Sequence, residues 1–123
     1  MDAIVVKGQG VASRNILEKC PDVYQAVLGP VHLATLNLWI DGDYGRWPWG
    51  LGCDQFNDLS RRVTCSIQGV AGWVIFVEHP APPWHDGQEH PEKTMLEVVC
   101  QKWIADVAPG TIVDLRVDLE ALG

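Results

Sequence analysis

Positive charge is scarce in this sequence: nine Lys and Arg stand against sixteen Asp and Glu, a formal net charge of -7. That balance excludes broad, sequence-independent nucleic-acid binding, which needs a cationic surface. An anionic ligand stays admissible where backbone amides, a few cations or a metal ion offset the field locally. Long apolar runs are also missing; none approaches the roughly 18 residues that span a bilayer. The opening Met1-Asp2-Ala3-Ile4 lacks the basic n-region of a signal peptide. The expectation is a soluble, cytoplasmic protein with no membrane role. Cys20, Cys53, Cys65 and Cys100 include no Cys-x-x-Cys pair, which excludes a zinc knuckle and a thioredoxin-type motif and predicts buried free thiols. No Gly-x-Ser-x-Gly elbow, P-loop, Gly-x-Gly-x-x-Gly or His-Glu-x-x-His is present. Any phosphate chemistry therefore uses another cradle.

At 123 residues, 47% of them hydrophobic and 20% charged, the chain is a globular domain able to bury one core. No internal repeat or low-complexity tract divides it. The stretch Leu33–Ile40 organises the rest. Leu36, Leu38 and Ile40 alternate with Thr35, Asn37 and Trp39, the period of a half-buried strand. Thr35 and Asn37 thus share one face, where a hydroxyl and an amide oxygen suit a hard cation or a ligand hydroxyl.

Around it, Ala3–Lys7 reads as a first strand, followed by Gly8-Gln9-Gly10 and Val11-Ala12-Ser13. Asp22 caps a predicted short helix through Leu28, stopped by Gly29-Pro30. Asp41-Gly42-Asp43 turns the chain into a Gly/Trp/Pro loop over Tyr44–Gly52, and Asp54–Arg62 holds a helical turn. Val63–Val70 and Trp73–His79 read as strands about Gly69–Gly72, and Glu78–Pro91 as a proline-punctuated loop. Thr94–Val99 is β-like, Cys100–Asp106 a short helix, and Val113–Leu119 a last alternating strand. Five to seven short strands with one or two short helices make a small, mainly β barrel.

Six tryptophans are many for this length. Trp47 and Trp49 lie in the Gly/Pro loop, where aromatic rings pack on the barrel or flank a planar ligand. His79, His85 and His90 stand near Glu78, Asp86 and Glu89, a composition that binds transition metals. Their spacing, five and four intervening residues, fits no helical ligand pair and reads more readily as a solvated proline-rich loop, with a metal site the lesser reading.

The order of these motifs resembles the archaeal CTP-dependent riboflavin kinases. That family opens with a strand and a loop like Ser-Gly-x-Gly-Glu-Gly, then a helix and a strand carrying Pro-Gly-Thr-Leu-Asn-Leu. A Leu-Glu-Val strand and a closing strand after a Gly-containing turn follow. The counterparts here are Val5–Ser13, Asp22–Leu28, Ala34-Thr35-Leu36-Asn37-Leu38, Met95-Leu96-Glu97-Val98-Val99 and Pro109–Val113. Asp41–Arg62 has no counterpart. The resemblance implies a six-stranded cradle-loop barrel in which Thr35 and Asn37 bind a Mg2+ that bridges nucleotide phosphates. It further implies that Gly10, Ser13 and Arg14 face phosphate, that Glu97 orients or deprotonates the acceptor hydroxyl, and that CTP and riboflavin are substrates. Trp47 and Trp49 would then cover a planar ring. Aligned on its glycines, the family loop falls on Gly8–Ala12, where Val11 and Ala12 replace the Glu and the last Gly; aligned on Ser13 it falls on Arg14–Glu18 and keeps no glycine, and in both Leu33-Ala34 replaces Pro-Gly. Loss of those glycines removes close amide–phosphate approach. The alternative is a non-catalytic small-ligand or partner-binding barrel.

Overall fold

A computed structural model describes residues 1–7, 21–32, 34–47 and 62–123. The elements are β1 (Asp2–Val6), α1 (Pro21–Leu28), β2 (Thr35–Asp41), β3 (Val63–Ile67), β4 (Val70–Glu78), β5 (Lys93–Cys100) and β6 (Ile112–Val117). A 3-10 turn over Leu119–Leu122 follows. The strands close into one antiparallel barrel in the order β1-β2-β5-β4-β3-β6. Closure pairs every strand on both sides and leaves no open edge.

Alternation assigns the faces. Leu38 and Ile40 on β2 turn inward with Leu96 and Val98 on β5, Val74 and Val77 on β4, and Leu115 on β6. Trp39, Met95 and Phe76 turn outward and pack with Val6 and Ala81 in a second cluster. β5, between β2 and β4, is buried along Thr94–Cys100 on both faces. Gly72 on β4 marks a close approach: a Cβ there would stand 2.5 Å from the Val99 carbonyl oxygen. Residue 72 is therefore restricted to glycine.

Most predicted elements are present with shifted ends. α1 begins at Pro21, with Asp22 in its first turn rather than capping it. Gly29, at φ +78, ends it as expected, its N–H donating to the Gln25 carbonyl at 2.9 Å. The hairpin between β3 and β4 turns at Gln68-Gly69, earlier than the glycine spacing predicts. The expected helix over Cys100–Asp106 is absent. Cys100 ends β5, and the Gln101 N–H extends the ladder to the Ala71 carbonyl at 2.9 Å. The last strand stops at Val117 because Asp118 caps the following turn, accepting from the Glu120 N–H at 3.1 Å. The helical turn expected in Asp54–Arg62 lies almost wholly outside the described residues.

Candidate functional site

Two registers build the site on the outer face. β2 pairs with β5 so that Asn37 lies opposite Glu97 and Trp39 opposite Met95. β4 pairs with β5 so that Phe76 lies opposite Glu97 and Glu78 opposite Met95, after an irregularity between Val74 and Phe76. One row across the barrel wall therefore reads Val6, Asn37, Glu97, Phe76, and the next reads Ile4, Trp39, Met95, Glu78. Side chains directly opposite, or one step diagonal, are within mutual reach.

Among the described residues, these rows hold three buried oxygens with no hydrogen-bond partner: Asn37 Oδ1, Glu97 Oε2 and Glu78 Oε2. A buried polar atom without a partner costs about 1–3 kcal/mol, so such atoms mark places built for something besides packing. Glu97 is 4% exposed and is the only buried charged residue among the described residues. Burial first, then the nearby Glu78 carboxylate, pushes its carboxyl up from 4.5 to about 7. Glu78 has its own counter-charge, since Arg46 Nη2 lies 3.1 Å from its Oε1. The guanidinium thus serves Glu78 and leaves Glu97 without a cationic partner among the described residues.

The loop after β4 folds over the neighbouring part of this face. Ala81 and His90 bridge its two ends. His90 Nε2 stands 2.6 Å from Asp86 Oδ2 and its Nδ1 3.1 Å from Glu92 Oε1. Both ring nitrogens face carboxylate oxygens, which favours the protonated ring; Glu92 first, then Asp86, raises its pKa. The ring packs on Trp39 with centroids 4.3 Å apart. His85 meets the same indole edge to face, with centroids 5.2 Å apart, and accepts from the Lys7 N–H at 2.9 Å. His79 points elsewhere, its Nδ1 3.0 Å from the Lys93 carbonyl. Structural contacts thus occupy the three histidines singled out for a metal. Among the described residues no three His, Cys, Asp or Glu side chains are grouped to hold an ion.

The other expectations fall as follows. Thr35 lies on the same strand face as Asn37, half-buried, at the rim of an apolar cavity of about 60 Å3 lined by Leu36, Val98 and Trp103. Trp47 is not an open ring for a ligand: it is 4% exposed in the barrel core, and its indole N–H donates to the Leu122 carbonyl at 3.0 Å. The Trp47 N–H also donates to the Val77 carbonyl, which draws this segment onto the barrel. Gly10, Ser13, Arg14 and Trp49 lie outside the described residues. Cys65 and Cys100 are free thiols pushed by burial to about 12 and about 11, so neither is a nucleophile at neutral pH.

Sequence reasoning missed Arg46, and it grouped Glu78 with the histidines of the following loop and not with Glu97. Glu78 closes the apolar run Val74–Val77, and an acid at that place reads as a strand end entering solvent. Its approach to Glu97 depends on the β4–β5 register, which no local pattern encodes.

No protein-family model matches the chain. Neither does a curated protein or a solved structure. Function is therefore argued from this geometry and the motif order.

Proposed function

We propose that this chain is a riboflavin-kinase-like barrel of the cradle-loop type that binds a nucleotide, a flavin or both in the cytoplasm. Its concrete reaction is Mg2+-dependent phosphoryl transfer from CTP to riboflavin. The observation that carries this reading is the pairing of Asn37 with Glu97, each with a buried unpartnered oxygen. These are the residues at which the motif order asks for a metal ligand and an acceptor-orienting acid.

On this reading Thr35 and Asn37 offer neutral oxygens from one strand face, and the unpartnered Asn37 Oδ1 fits a cation. Mg2+ supplies neutralisation of phosphate charge. Glu97 Oε2 accepts the proton of the attacking riboflavin hydroxyl. A carboxyl whose pKa lies near neutrality exchanges a proton at working pH. Gly10, Ser13 and Arg14 serve the phosphates. The test titrates riboflavin and CTP, with and without Mg2+, following tryptophan fluorescence and flavin mononucleotide formation. Saturable binding with product supports the kinase, and no response to either ligand removes it.

The replacement of the family's Glu and last Gly by Val11 and Ala12 favours a second reading, a binding barrel without turnover. Binding without product selects it.

A further inference from the structure

The kinase resemblance leaves the charge of the outer face unexplained. Neutral oxygens such as Thr35 Oγ1 and Asn37 Oδ1 hold a divalent ion only when phosphates bring the negative charge. Here the negative charge belongs to the protein. Glu97 lies directly across from Asn37, where facing Cβ atoms are about 4.5–5.5 Å apart. Glu78 pairs with Met95 on the same face, one step diagonal from Glu97 at about 7–8 Å, within reach of a glutamate side chain. Each residue presents a buried oxygen with no hydrogen-bond partner.

The chemistry of the set is uniform: one amide oxygen and two carboxylates, with no nitrogen or sulfur. Arg46 contacts Glu78 Oε1 and balances one of the two charges. Its side chain is 67% exposed, so solvent screens that compensation. Phe76 and Met95 stand in the same rows, 3% and 1% exposed, and keep water from the oxygens between them. A buried carboxylate without a partner persists only if a proton or a cation supplies the missing charge. An all-oxygen anionic set selects hard ions over soft ones.

We propose that Asn37, Glu97 and Glu78 together form a binding site for a hard divalent cation, of the Mg2+ or Mn2+ class, that fills without a nucleotide. This deepens the reading above, with which it shares Asn37 and Glu97, and gives Glu97 Oε2 a cation in place of the acceptor's proton. It moves the charge of the metal site from bound phosphate to the protein's own strands β4 and β5.

Nucleotide-free protein titrated with Mn2+, following free ion by electron paramagnetic resonance and heat by calorimetry, tests this. One saturable site per chain is expected, with Mg2+ competing. Glu97→Gln and Glu78→Gln keep shape and remove charge, and each is expected to weaken Mn2+ by about 10- to 100-fold. Glu120→Gln, on an exposed turn, serves as control. Should Glu97→Gln fail to fold, Glu78→Gln carries the test. No saturable binding to the wild type overturns the inference. So does binding that survives both substitutions, or binding that appears only with CTP present; the last result leaves the kinase reading standing. Conversely, Mn2+ binding without any response to CTP or riboflavin keeps this site and removes the kinase.

Discussion

The inner and outer faces of β2, β5 and β4 come from the same residues read alternately, yet one is closed and the other is not. Inside, Leu38, Ile40, Leu96, Val98, Val74 and Val77 leave nothing for a ligand to satisfy. Outside, Trp39, Met95 and Phe76 are as well buried, but Asn37, Glu97 and Glu78 interrupt them with unpartnered oxygens. Apolar burial is non-directional, so any close-packed set of the right volume completes the inner face. Oxygens need partners at defined positions, and an unfilled demand persists until something meets it. Substitution separates the two faces most clearly.

The largest expected effect is on the inner face. Leu38→Ala removes a fully buried side chain and is expected to cost about 2–5 kcal/mol, read as a lower denaturation midpoint in urea. An equal loss from an outer-face truncation such as Asn37→Ala would erase the contrast.

Glu97→Gln tests the outer face with the opposite sign. The folded carboxyl titrates at about 7 against an ordinary 4.5, so folding favours its protonated form. Stability is then highest below the ordinary value, falls as pH rises between the two, and stays low above about 7. A shift of this size corresponds to about 3 kcal/mol. Glu97→Gln, neutral throughout, is expected to match the wild type at pH below about 4 and to exceed it at pH above about 8. Denaturation in chelator at both pH values checks this, and a difference independent of pH contradicts it.

Gly72→Ala sharpens the limit on the inner side. Its Cβ would meet the Val99 carbonyl oxygen at 2.5 Å and the Cys100 Cα at 3.2 Å, both backbone atoms. Neither gives way cheaply, and a loss of about 1–3 kcal/mol is expected by thermal or chemical denaturation.

The smallest effect concerns the part of the outer face whose polar groups are paired. Glu92, then Asp86, hold His90 above its ordinary 6.5, so its contribution is complete below that value and fades as pH rises through the raised one. Asp86→Asn is expected to lower the His90 pKa in a proton NMR titration. An unchanged titration would mean that this ion pair does not hold the ring.

Much of the barrel was legible in the chain. The alternation through Thr35–Ile40 and Val113–Val117 yields strands with the predicted faces, because period two is a local property of the backbone. The placing of Thr35 and Asn37 on one face was legible for the same reason. Strand ends were less so. Asp118 reads as one more outward residue until its carboxylate is seen to cap the next turn. Trp47 shows the deeper gap: the Gly/Pro loop allows a ring packed on the barrel or one flanking a ligand, and only the structure shows it packed, its indole N–H bonding Leu122 near the other end of the chain.

The site divides along the same line. By itself the sequence determined that an acid, Glu97, stands alone among the apolar residues of Thr94–Cys100, and that Thr35 and Asn37 share a face. The tertiary structure alone decided that Asn37 meets Glu97, that Glu78 comes diagonally beside it, and that Arg46 serves only one of the two carboxylates. Alternation is written into neighbouring residues. Register between β2, β4 and β5 depends instead on how barrel closure aligns segments far apart in the chain, and no local pattern specifies that alignment.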